Sequence, residues 1–311
     1  MTGGAGFIGS CLVDRLLAEE WEVDVIDDLS TGSLANLADA RSHSQRQLRF
    51  HQVDVCSPST PELIARRHPD VVFHLAAQAD VRVSVARPTF DAEVNVVGSV
   101  NVLEGARIAG TSKLVYAASG GTLYGEADVI PTPEDAPKRP ASPYGASKKA
   151  VLDYLDVYMD LYGLEGVGLA LANVYGPRQN PHGEAGVVAI FAGLLAEGRS
   201  CTIFGDGLQT RDFVYVDDVV DAFVRAATRP CRGLLNIGTG VETSVVELYR
   251  MVAEVSGVSL EPRFAPGRAG ELRRSALDAG AARRELGWQP WTSLEDGIRA
   301  VVEAQRKRSS S

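Results

Sequence analysis

The opening nine residues constrain the fold more than any other stretch. Met1-Thr2-Gly3-Gly4-Ala5-Gly6-Phe7-Ile8-Gly9 spaces glycines three apart, and Leu12, Val13, Leu16 and Leu17 follow at helical spacing. Glycines let a backbone turn tightly and approach a pyrophosphate, whose charge the free N–H groups of a helix start then stabilise. The segment 22–26 reads as a strand and ends at Asp27 and Asp28. An acid there suits ribose hydroxyls and repels a 2′-phosphate, so NAD is favoured over NADP. Gly3, Gly6, Phe7, Ile8, Asp27 and Asp28 are the first candidate cofactor contacts. Such a loop normally follows a buried strand in mid-sheet. Only Met1 and Thr2 precede it here, so a truncated first strand is expected.

Downstream, strand-like segments at 23–26, 48–53, 71–74, 113–117 and 167–171 are separated by helical ones at 62–68, 92–109 and 146–162. That alternation predicts α/β architecture: a Rossmann-type doubly wound parallel sheet with a smaller C-terminal α/β substrate domain. Expected boundaries are 1–172 plus about 208–238 for the nucleotide-binding unit, and about 173–207 plus 239–311 for the substrate unit. With 311 residues, 45% of them hydrophobic, there is material for both cores. No apolar run has the length of a membrane helix. The net charge of −9 argues against nonspecific nucleic-acid binding, and the four cysteines lack metal-like spacing. A soluble cytoplasmic protein without a structural metal is expected.

The second informative stretch is Tyr144-Gly145-Ala146-Ser147-Lys148. Tyr and Lys four residues apart share one helix face. A phenol ordinarily titrates near 10 and is a poor base at neutral pH. A neighbouring ammonium favours the phenolate, and a bound cationic nicotinamide favours it further. The pair suits a general base that takes an alcohol proton while hydride leaves the carbon. An ordinary helical Tyr and Lys is the competing reading, and the glycine loop weighs against it.

With both motifs in hand, the chain resembles the extended short-chain dehydrogenase/reductase family over essentially its whole length, and most closely the bacterial UDP-glucose 4-epimerases among them. The resemblance implies NAD-dependent 4-epimerisation of a UDP-hexose through a 4-keto intermediate. It places Asp54, Val55, Leu75, Ala76 and Ala77 beside the cofactor, with Asn95 supporting the nearby loop as a further cofactor-side residue. The loop 117–125 faces the sugar. Relatives carry Ser or Thr four residues before Tyr124, where this chain has Gly120, so Ser119 and Thr122 are the candidate hydroxyls beside Tyr144 and Lys148. Sugar-nucleotide dehydratases carry Asp-Glu where this chain has Gly121-Thr122, and related decarboxylases carry a glutamate at the second position. Elimination needs that additional acid and base, so reversible oxidation at one carbon is what remains.

On the substrate side, the resemblance assigns Asn173, Arg211 and Arg268 to the diphosphate region, Val187, Val188 and Phe191 to the uracil site, and Glu271 to the uridine ribose. Guanidinium suits a diphosphate through bidentate, fully charged contacts. Ser275, where some relatives have a bulky tyrosine, leaves room for N-acetylated sugars. Two rival substrates therefore stay open: UDP-N-acetylhexosamine, and UDP-glucuronate with Arg82 or Arg178 at its carboxylate. A non-catalytic NAD-binding scaffold is the remote alternative. A homodimer is expected by resemblance, with Val151, Leu155, Tyr158 and Tyr162 as its candidate face and core packing as the competing role.

Overall fold

The computed structural model describes residues 1–43, 47–180, 186–268 and 271–309. Its centre is a parallel sheet built from β1 (Val23–Asp27), β2 (Leu48–Gln52), β3 (Val71–His74), β4 (Lys113–Ser119), β5 (Glu165–Leu171) and the strand Gly233–Ile237. β2 pairs with β1, while β3, β4, β5 and Gly233–Ile237 pair in that order. Thr2 alone joins the two groups, bridging Ile26 on one side and His74 on the other. Backbone bonds from Gly3 to Ile26 (2.9 Å), Thr2 to Phe73 (2.9 Å) and Leu75 to Thr2 (3.2 Å) hold it there. A first strand shortened to the residues around Thr2 thus stands at the sheet centre, as expected. The order around it is that of a doubly wound sheet, whose switch point lies beside Thr2.

Two apolar layers cover the sheet. Helix α1 (Phe7–Ala18) and helix Val216–Thr228 press Leu12, Val13, Leu16, Val219, Ala222 and Phe223 onto one face. Each such aliphatic side chain removed from water contributes about 1.5–3 kcal/mol. On the other face, Val102 and Leu103 of helix Gly98–Ala109 meet Val151, Leu152 and Leu155 of helix Pro143–Tyr162. A third core joins helices Val187–Ala196, Val245–Ser256 and Leu294–Ser309 into the smaller unit. Among the described residues no helix is long and apolar enough to cross a membrane.

Several expectations need correction. Val151, Leu155 and Tyr158 are buried in the sheet-facing core, so the competing role is the observed one; the exposed apolar stripe of that helix is Tyr154, Val157 and Leu161, with Tyr162 beside it. Helical period sets the spacing of both stripes, and only packing decides which one faces inward. The domain division also shifts. Ala281, Ala282, Leu286 and Trp288, expected in the substrate unit, pack into the core of the sheet, where the Trp288 indole donates to the Asp218 carbonyl at 2.7 Å.

Candidate active site

Helix Pro143–Tyr162 carries the Tyr-Lys pair and begins earlier than expected. The Ser142 hydroxyl caps it by accepting from Gly145 N at 3.2 Å, and Pro143 occupies the first turn, where its missing N–H costs nothing. Tyr144 emerges half-buried at that start. Lys148 is 3% exposed, donates to the Ala117 carbonyl at 3.0 Å, and lies 4.8 Å from the Tyr116 ring centroid and 5.7 Å from that of Tyr144. Burial lowers the Lys148 ammonium to about 8 and pushes the Tyr144 phenol up to about 12. A hydrogen bond with the Ser119 side chain partly offsets the rise at Tyr144. Without further positive charge Tyr144 is therefore a neutral phenol at physiological pH.

Ser119 ends β4 and opens the short helix Gly120–Leu123. It is the hydroxyl that meets Tyr144. Leu277 packs where a side chain at position 120 would go: a Cβ there would lie 2.4 Å from Leu277 Cδ1, so a Ser or Thr would require Leu277 to shift. Thr122 keeps its hydroxyl buried without a hydrogen-bond partner. Ser275 sits behind this loop, its Oγ 3.6 Å from the position a Gly121 Cβ would take.

The glycine loop fits a dinucleotide. Gly3 has φ +70°, and a Cβ there would lie 2.6 Å from Ala76 N, so the loop and the 75–77 segment approach as only glycine allows. No side chain caps α1, which leaves its first-turn N–H groups for an anion, next to Phe7 and Ile8. Asp27 is nearly buried and braces the loop, accepting from Ala5 N and Leu29 N at 2.9 Å each; Asp28 accepts from Ser30 N at 2.9 Å. Carboxylates retain further lone pairs for ribose hydroxyls. Asp54 accepts from Cys56 N at 2.8 Å, and Val55 is buried beside Gly98. Leu75, Ala76 and Ala77 line the approach to Gly3, half-buried.

Asn95 supports the loop after β3, as expected, and does so from within the protein rather than as a direct cofactor contact. It is 1% exposed in a π-helical turn, its Nδ2 donates to Gln78 O and Asp91 Oδ1, and its Oδ1 accepts from Gln78 N. The amide is spent on holding the 75–80 loop.

Sequence reasoning missed the buried chain behind this loop. Ala76 N donates to Thr2 Oγ1 (3.2 Å), which lies 2.7 Å from His74 Nδ1; His74 Nε2 lies 2.8 Å from Ser99 Oγ, which donates to Asn95 O (2.6 Å). Ser99 has one proton and gives it to Asn95, so His74 donates from Nε2 and accepts at Nδ1. Burial drops the His74 imidazolium to about 3, with Lys148 acting in the same direction, and the ring is neutral. Asp91, also buried, accepts from Gln78 Nε2, Asn95 Nδ2 and Ser147 Oγ. The spacing of Asp91, Asn95 and Ser99 at four-residue steps is the signal that reveals this face.

In the smaller unit, Arg211 is half-buried, donates to the carbonyls of Thr210 (2.7 Å) and Leu272 (2.8 Å), and pairs with Glu271 at 3.3 Å. Two expected substrate residues thus neutralise each other. Arg268 stacks over Phe204 at 3.9 Å, brought there by pairing of strands Thr202–Phe204 and Arg263–Ala265. Ala269 and Gly270, inside the expected second phosphate motif, lie outside the described residues. Asn173 is exposed and is anchored through its backbone to Asp212. Val187 is half-buried, but Val188 and Phe191, expected at the uracil site, point into the core of the smaller unit beside Tyr249. Arg178 is held by Asp14 of α1 at 2.5 Å, and exposed Arg82 lies 3.7 Å from Asp80.

Residues 1–238 match the model of the NAD dependent epimerase/dehydratase family. The chain is 52% identical over 310 residues to a UDP-glucose 4-epimerase of Mycolicibacterium smegmatis, spanning 99% of this chain and 98% of that one. Among solved structures it resembles UDP-glucose 4-epimerase from Thermotoga maritima with UDP-glucose (TM-score 0.94, 43% identity, 99% and 98% of the two chains). It also resembles the Thermus thermophilus UDP-glucose 4-epimerase complex with NAD (TM-score 0.89, 43% identity, 98% and 97%). A nucleotide loop, a Tyr-Lys helix and a match across three quarters of the length agree, and the chain belongs to the NAD dependent epimerase/dehydratase family.

Proposed function

We propose that the protein interconverts UDP-glucose and UDP-galactose by NAD-dependent epimerisation at C4. The observation that carries this reading is Tyr144, held between Lys148 and Ser119, beside a segment whose Gly121-Thr122 offers no acid or base for elimination. NAD, when bound, would supply the hydride acceptor and donor for reversible oxidation at C4. Tyr144 takes the C4 hydroxyl proton on the way out and gives it back on return. Lys148 favours the phenolate electrostatically, and Ser119 bridges phenol and sugar oxygen. Thr122 would offer its hydroxyl, buried and unpaired in the ligand-free chain, to the hexose by turning toward it. Gly3, Gly6, Phe7, Ile8, Asp27, Asp28, Asp54, Val55 and the 75–77 segment would hold the cofactor. Arg211, Arg268 and Asn173 would hold the diphosphate, which replaces Glu271 as the partner of Arg211.

UDP-N-acetylhexosamine is the second reading, favoured by the small Ser275 behind Gly121. For UDP-glucuronate, the two candidate cations already face acids: Arg178 pairs with Asp14 of α1 and Arg82 lies 3.7 Å from Asp80. We further infer a homodimer through Tyr154, Val157 and Leu161, and a cytoplasmic location. To test the reaction, purified protein without added NAD is incubated with each UDP-sugar and followed by proton NMR. A C4 epimer is expected from UDP-glucose. No product from any of the sugars, with or without NAD, refutes the proposal.

A further inference from the structure

Asp91 is fully buried on helix Pro88–Ala92, and no step above uses it. Its three donors come from three places: Ser147 Oγ at 2.7 Å on the tyrosine helix, Gln78 Nε2 at 2.9 Å on the loop after β3, and Asn95 Nδ2 at 3.0 Å in the π-helical turn. A buried carboxylate is costly to desolvate, and bracing of neutral donors alone does not call for a charge. The neighbouring cation supplies the reason. Ser147 directly precedes Lys148, and the groups facing that ammonium can be named by element. β4 offers the Ala117 carbonyl and the Tyr116 ring, the helix itself offers Tyr144, and β3 offers His74, which is neutral. Among the described residues, Asp91 is the acid whose charge acts on Lys148.

We propose that Asp91 is a positioning residue for the reaction at Tyr144: its carboxylate ties the tyrosine helix to the cofactor-side loop and keeps Lys148 an ammonium. Burial works to strip the proton from Lys148, and Asp91 opposes it. The same negative charge raises the Tyr144 phenol directly. Asp91 therefore helps the base only through Lys148, which separates its role from that of a catalytic residue. The proposal rests on the reading of Tyr144 as base.

The test has an arm independent of turnover. The chain has five lysines, Lys113, Lys138, Lys148, Lys149 and Lys307, so the Nζ resonances of labelled protein are few, and a Lys148→Met variant assigns the one of interest. In Asp91→Asn its titration midpoint should fall by about one pH unit, as expected on losing a nearby opposite charge. The alkaline limb of the kcat profile should move down with it. Ser147→Ala removes the tether and keeps the charge. Its midpoint should stay at the wild-type value while kcat drops by about tenfold across the profile. An unmoved Lys148 midpoint in Asp91→Asn overturns the proposal, as does equal displacement in Ser147→Ala. If Asp91→Asn does not fold, an unchanged kcat in Ser147→Ala is sufficient to overturn it. Wild-type protein that turns over none of the sugars would instead defeat the functional reading, and the NMR midpoints would still decide the role of Asp91.

Discussion

Thr122→Val should split stability from activity in opposite directions. The Thr122 hydroxyl is buried with no hydrogen-bond partner, and valine has nearly the same shape. An unsatisfied buried hydroxyl costs about 1–3 kcal/mol, because its water contacts are lost and nothing replaces them. Removing it should therefore stabilise the ligand-free protein by about 1–2 kcal/mol, seen as a rise in Tm of about 2–4 °C. On the proposed reading, the hydroxyl turns out of the protein toward the hexose in the substrate complex and gains a partner there. Losing that contact should lower kcat/KM by about 10- to 100-fold, the equivalent of roughly 1.4–2.8 kcal/mol. Differential scanning calorimetry of cofactor-matched samples and initial rates with UDP-glucose make the comparison. A lower Tm would show that the hydroxyl is satisfied in the native protein. Full activity alongside a raised Tm would show that it never meets the sugar. Either result refutes the reasoning.

Three further outcomes follow from the geometry. Tyr144→Phe removes the proton acceptor and should reduce kcat by about 10²- to 10⁴-fold with little change in fold, read as loss of epimer formation and an unchanged circular dichroism spectrum. Gly3→Ala forces a Cβ to 2.6 Å from Ala76 N at φ +70°; strain and overlap of about 2–5 kcal/mol should lower Tm and the NAD content of purified protein, and an unchanged content would contradict the close approach. His74 titrates lower folded than unfolded, so its contribution is fully present above about 6.5, its unfolded value, and is lost progressively as pH falls toward about 3. Wild-type stability should thus fall below pH 6.5 by up to about 1.4 kcal/mol per pH unit from this group, and His74→Gln should flatten that slope in chemical denaturation.

Local patterns were legible in the sequence because they are written in consecutive residues. The glycine loop, α1 and the Tyr-Lys helix all stand where periodicity and turn chemistry put them. The positions that misled share a cause, which is that spacing does not reveal direction. Helix Pro143–Tyr162 has apolar residues on two stripes, and Leu155 and Val157 differ only in what they pack against. Val188 and Phe191 read as a ligand wall until the helices of the smaller unit close over them. The hydroxyl partner of Tyr144 is obscured by counting from Tyr124, since Leu277, more than 150 residues away, fills the space a side chain at position 120 would take. The hydrogen-bond chain from Ala76 to Asn95 depends on Thr2 meeting His74, a contact no local window contains.

The way the chain weaves between its cores bears on how it can be made. After completing the sheet through β5 it builds part of the smaller unit, returns for helix Val216–Thr228 and strand Gly233–Ile237, leaves again, and comes back to insert Ala281, Ala282, Leu286 and Trp288. The last helix then closes the smaller core with Ile298, Val301 and Val302. Neither unit is a contiguous stretch, so no single cut releases one of them whole. During synthesis, the growing chain must hold an open sheet face until the segment carrying Trp288 has left the ribosome.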